Sequence, residues 1–123
     1  MLEKTAKDIM TPTVYAVDPY ISIREAAREM VSRGIGSLLV ISEGNIVGIF
    51  TERDLAKAIS QARSLDEPII NAMTKDVITV EIDDSISIIK EKMIKANIRH
   101  LPVVDKEGKP VGMISIKDLL MHV

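Results

Sequence analysis

The sequence has no cysteine and no tryptophan, and its only aromatic residues are Tyr15, Tyr20 and Phe50. Without cysteine, disulfides, thiol nucleophiles and cysteine-based zinc sites are all excluded. With so few rings there is little to stack on exposed bases or sugars, so a base bound here would lie against aliphatic side chains. A surplus of positive charge is also missing: 16 Lys and Arg stand against 18 Asp and Glu, for a net charge of -2. The chain therefore lacks the sequence-independent attraction to phosphate backbones, and nucleic acid is disfavoured as a main partner. No apolar run approaches the roughly 18 residues of a membrane span, and the opening MLEKTAKDIM has charges where a secretory signal needs an apolar stretch. The expectation is a cytoplasmic chain with no membrane partner.

What the sequence does contain is a repeat. Residues 10–41 match residues 73–104 without a gap, sharing Met10/Met73, Thr11/Thr74, Val14/Val77, Val17/Val80, Ser22/Ser85, Ile23/Ile86, Met30/Met93, Ile35/Ile98, Leu38/Leu101 and Val40/Val103. After a one-residue insertion, Gly44, Val47, Gly48, Asp54 and Leu55 meet Gly108, Val111, Gly112, Asp118 and Leu119. Two similar cores would explain apolar matches, but not glycines and aspartates recurring in place. The chain is two copies of one supersecondary unit.

Each copy reads as strand, helix, strand, strand, helix. A short β-branched strand (14–17; 77–80) turns into Ser22 or Ser85, both good helix N-caps, and Ser22 with Glu25 is expected to make a capping box. The helices bury one stripe each, Ile23, Ala26, Ala27, Met30 and Val31 in the first and Ile86, Ile89, Met93 and Ile94 in the second. Gly34 and Asn97 suit their left-handed C-terminal caps. Hairpins follow, 37–42 with 46–51 and 100–105 with 110–115; the runs SLLVI and HLPVV suit strands covered on both faces. A closing helix starts at Thr51 or Ser115, each followed three residues later by an Asp in the first turn. The expected organisation is repeat 1 over 1–60 with a short N-terminal helix, a linker over 61–71, and repeat 2 over 72–123. The fold class is α/β, with the copies expected to pack sheet to sheet about a pseudo-two-fold axis.

The segments KDIMTPTVYAV, GIGSLLVISEGNIVGIFTERDL and NIRHLPVVDKEGKPVGMISIKDL resemble the opening, hairpin and closing motifs of CBS (cystathionine-β-synthase-type) domains. No single piece is decisive, but the ordered set occurs twice and covers nearly the whole chain, as in a tandem pair or Bateman module. The resemblance implies adenosyl ligands (AMP, ADP, ATP or S-adenosylmethionine) in clefts between the repeats, and modules paired as dimers. Asp54 and Asp118 would then accept from ribose hydroxyls, a charge-assisted and geometrically selective contact. Thr51 and Ser115 add a hydroxyl at the same helix start, and Arg53 and Lys117 add charge against a phosphate. Gly48 and Gly112 either let a ligand approach the backbone or relieve packing within a strand. By the same resemblance, Ser115, Lys117 and Asp118 face Thr11, Val14 and Ile35, while Thr51, Arg53 and Asp54 face Thr74, Val77 and Ile98. Arg99 and His100 stand where the first copy has Gly36 and Ser37, and would contact phosphates.

Each of these residues has a plainer role open to it. Thr51 and Ser115 suffice as caps, Asp54 and Asp118 as acids on a helix dipole, and Val14, Ile35, Val77 and Ile98 as core. For Arg99 and His100 the alternative is a strand-edge pair satisfied by carbonyls and water. His122 has no visible partner and is expected to be exposed. With two His, no Cys and neither a zinc-protease nor a P-loop pattern, no catalytic constellation is visible, and no cofactor or metal is expected. The expectation is a ligand-sensing homodimer that is not an enzyme and signals to an effector protein in trans. The alternative is a structural dimerisation module with degenerate sites.

Overall fold

A computed structural model describes residues 3–122. Helix α1 is Ala6–Ile9. The first repeat forms β1 (Ala16–Val17), α2 (Ile23–Arg33), β2 (Ser37–Ser42), β3 (Asn45–Thr51) and α3 (Glu52–Ser60). The second repeat forms β4 (Val80–Glu81), α4 (Ile86–Ala96), β5 (His100–Val104), β6 (Pro110–Ser115) and α5 (Ile116–Leu120), and a 3-10 turn at Ile69–Asn71 precedes it. There are two sheets of three strands, β1-β2-β3 and β4-β5-β6. In each the first pair is parallel and the second antiparallel, and β2 and β5 are bulged near their ends, at Val40/Ile41 and Val103/Val104. The opening strands are shorter than expected. Val14 and Val77 lie outside them, and the Val77 N–H donates to Lys75 O at 3.1 Å instead of joining a sheet.

The helix boundaries follow from local chemistry. Ser22 Oγ accepts from the Glu25 N–H, Ser85 Oγ from the Ile88 N–H, and Gly34 and Asn97 close the helices in left-handed conformation. The Ser22/Glu25 pair is only half a capping box, because the Glu25 side chain does not reach back to the cap. Reciprocal boxes form at Thr51/Asp54 and Ser115/Asp118, where the acid is one carbon shorter. The tight turn between β2 and β3 has both Glu43 and Gly44 at positive φ, which suits the twist of a two-residue hairpin.

The chain divides into two compact units whose limits fall after Val14 and Val77. Tyr15–Val77 is one unit; the segment ending at Val14 joins the residues from Ile78 onward in the other. The lead-in to each repeat thus belongs with the opposite repeat, and main-chain hydrogen bonds show why. In one unit the Ile86 N–H donates to Lys4 O (3.0 Å), Ala6 N–H to Asp84 O (2.8 Å) and Lys7 N–H to Ile82 O (3.0 Å). In the other, Ile23 N–H donates to Glu67 O (2.9 Å), Ile69 N–H to Ile21 O (2.9 Å) and Ile70 N–H to Pro19 O (3.0 Å), the same bonds one repeat along. Each unit has its own core: Ile23, Met30, Leu38, Val40, Phe50 and Ile69 in one, and Ile9, Val80, Ile89, Leu101, Val103 and Ile114 in the other.

His122 differs from expectation. It is half-buried, with Nδ1 3.0 Å from Lys4 Nζ. The ammonium can only donate, so Nδ1 is the acceptor in this contact. The partner was invisible in sequence because it lies 118 residues away.

Candidate nucleotide-binding site

At the start of α3, the Asp54 carboxylate is buried and bonded on both oxygens. Its Oδ2 accepts from the Thr51 N–H at 2.9 Å and the Thr51 hydroxyl at 3.2 Å, and its Oδ1 accepts from the Thr74 hydroxyl at 2.9 Å. Thr74 is fixed there because Thr74 N–H donates to Ile49 O and Ile49 N–H to Thr74 O, both at 2.9 Å, which ties it to β3. Arg53 is exposed in the same helical turn, and Val77 is half-buried three residues beyond Thr74.

The other unit repeats the arrangement with one bond fewer. Asp118 Oδ2 accepts from the Ser115 N–H at 2.8 Å and the Ser115 hydroxyl at 3.0 Å. Thr11 pairs with Met113 through two main-chain bonds of 2.9 and 3.0 Å, as Thr74 does with Ile49, yet the bonds to the Asp118 carboxylate among the described residues all come from Ser115 and none from the Thr11 hydroxyl. No hydrogen bond from the described residues reaches Asp118 Oδ1, and Asp118 is only half-buried. Lys117 is exposed in the first turn of α5.

Arg99 and His100 lie in this same unit. The Ile116 N–H donates to Arg99 O at 2.8 Å, and His100 is the register partner of Ser115. The backbone thus brings Arg99, His100, Thr11, Ser115, Lys117 and Asp118 to one end of a single unit. The corresponding place in the other unit has Gly36 and a buried Ser37. Ile35 packs partly on the core and lines a groove of about 360 Å³ with Ala27, Met30, Val31, Glu52 and Leu55, whereas Ile98 packs partly on the core of its own unit. Val14 is half-buried.

Gly48 and Gly112 have a packing reason to lack a side chain, since the thioethers of Met73 and Met10 occupy the space over them. Sequence reasoning did not find this pairing, although both methionines recur with the repeat. Among the described residues, no group of three or more His, Cys, Asp or Glu is placed to hold a metal ion. No helix among them is long and apolar enough to cross a membrane.

Twin α/β units with a carboxylate and a hydroxyl at each closing helix define a duplicated module, and the comparisons identify its family. The CBS domain model matches residues 6–61 and again 67–123, and the chain belongs to the CBS domain family. It is 45% identical over 112 residues to an uncharacterised protein of Acidianus ambivalens, covering 90% of this chain and 68% of that one. It is also 40% identical over 119 residues to a homoserine O-acetyltransferase of Methanococcus vannielii, but spans only 24% of that protein's length. Two solved structures are similar throughout. The CBS domain pair of protein MJ0100 in complex with 5'-methylthioadenosine and S-adenosyl-L-methionine is 34% identical, with a TM-score of 0.90 over 98% of this chain and 95% of that one. Protein PAE2072 of Pyrobaculum aerophilum, complexed with AMP, is 30% identical, with a TM-score of 0.86 over 93% and 88%.

Proposed function

We propose that this chain is a regulatory module in the cytoplasm that binds adenosyl small molecules and signals to a partner protein in trans, without catalysing a reaction itself. The observation that carries this reading is the state of Asp118. One carboxylate oxygen is spent on Ser115, while the other has no bond from the described residues, in a half-buried position on the helix whose first N–H, that of Ile116, donates to Arg99 O. A ribose offers two adjacent hydroxyls, and a carboxylate oxygen with open lone pairs accepts both. AMP, 5'-methylthioadenosine and S-adenosylmethionine, bound by the two similar proteins, share that ribose.

The module is read as a homodimer. Val31 and Ile94, repeat equivalents on α2 and α4 that were expected in the buried stripes, are instead 82% and 76% exposed, apolar surface that a second copy would cover. A monomer in light scattering at micromolar concentration would overturn that part. The ligand reading is tested by a thermal-shift series with AMP, ADP, ATP, 5'-methylthioadenosine and S-adenosylmethionine. A ligand that binds only the folded state raises the melting temperature with its concentration. No shift with any of the five would leave the dimerisation module with degenerate sites as the better account.

A further inference from the structure

We infer that Thr74 closes the Asp54 carboxylate to ligand, leaving one working adenosyl site per chain, at Asp118. The inference rests on the adenosyl reading above and concerns which of two equivalent positions serves it.

An ionised carboxylate offers about four lone-pair sites. Asp118 has two of them filled by Ser115, so both sites on Oδ1 remain for a ribose diol. Asp54 has three filled, two by Thr51 and one by Thr74, so a diol that needs two finds one. That remaining site belongs to a residue only 7% exposed. The contrast is internal to one molecule. Thr11 and Thr74 are repeat equivalents with the same pair of main-chain bonds, and only Thr74 turns its hydroxyl onto the acid. Their neighbours differ, since Pro12 follows Thr11 where Lys75 follows Thr74. Pro12 restricts the backbone of Thr11, a restraint Thr74 does not feel.

To bind at Asp54, a ligand must displace the Thr74 hydroxyl and forfeit a charge-assisted bond. That weakens affinity by about tenfold or more relative to the Asp118 site. Thr74→Val keeps the shape of the side chain and removes the hydroxyl. The test is calorimetric titration of the full chain with AMP. Wild type and Thr74→Ser should bind one AMP per chain, Thr74→Val two, and Thr74→Val with Asp54→Ala one again. Asp118→Ala should lose the wild-type site, whereas Asp54→Ala should keep it, an arm that does not depend on Thr74→Val folding. Two AMP on wild type with one lost in Asp54→Ala would overturn the latch and leave the adenosyl reading standing, as would a single AMP on folded Thr74→Val. Failure of every form to bind AMP, 5'-methylthioadenosine or S-adenosylmethionine would remove the adenosyl reading and the latch with it.

Discussion

The sulfur of Met73 lies 2.5 Å from the point where a Cβ on Gly48 would stand, and Met10 holds the same relation to Gly112. The two sites differ in what else is near. Over Gly48 the close atoms all belong to the flexible Met73 side chain, whereas over Gly112 the Thr11 carbonyl oxygen is also 2.8 Å away. Gly112→Ala should therefore destabilise the protein by about 1–3 kcal/mol and Gly48→Ala by less, because a thioether can swing aside and a paired backbone cannot. Shortening Met73 should restore part of the loss in Gly48→Ala. Shortening Met10 should restore little in Gly112→Ala, and urea unfolding of the two double-mutant cycles measures the difference.

Removal of the two aspartates should cost unequal stability in the absence of ligand. Asp54 serves Thr51 and Thr74, while among the described residues Asp118 serves Ser115 alone. Asp54→Ala should lose about 1–2 kcal/mol more than Asp118→Ala, the worth of one further bond to a charged group at a buried position. Adding Thr74→Val to Asp54→Ala should change little, because the partner is already gone. Equal losses for the two aspartates would mean that the Thr74 contact contributes nothing to folding.

Acid should expose a third effect, at the N-terminal end. The Asp8 carboxyl is held below its ordinary value of 3.8 by the Thr5 N–H and then by the Thr5 hydroxyl. A depressed folded-state value means a stabilisation fully present above 3.8 and lost as pH falls below it through the folded value. Asp8→Ala should melt below wild type at neutral pH, and the gap should narrow as pH drops past 3.8. A gap that stays constant would show that the lost contribution is packing, not charge.

The elements were legible in sequence because their signals are local. Ser22, Ser85, Thr51 and Ser115 cap the helices they precede, and Gly34 and Asn97 end theirs, since caps are set within a few residues. The exchange of lead-in segments between repeats was not reflected in the expected boundaries at 60 and 72. It rests on main-chain bonds such as Ile86 to Lys4 and Ile23 to Glu67, which any side chain permits. The same holds for the candidate site. The repeat singled out Asp54 and Asp118 together and treated them alike, and only the direction of the Thr74 hydroxyl separates them. Residue identity fixes which groups can bond, but a rotamer decides which of them do.

The last expectation concerns the phosphate. Arg99 O accepts from the Ile116 N–H, and His100 pairs in register with Ser115, so both residues stand at the end of β5 nearest the start of α5, which carries Asp118. The other unit has the uncharged Gly36 and Ser37 at those two positions. A nucleotide with its ribose on Asp118 would then have an exposed guanidinium available for its 5' end. AMP and 5'-methylthioadenosine share adenosine and differ in having a phosphate or a thioether at that end, so they separate the two contributions. Arg99→Ala should weaken AMP by about 10- to 100-fold, the worth of a charge-assisted contact, and leave 5'-methylthioadenosine within about twofold. Calorimetry with both ligands on wild type and variant decides it. Equal losses would make Arg99 a support for the shape of the site, and unchanged AMP affinity would place its side chain away from the phosphate.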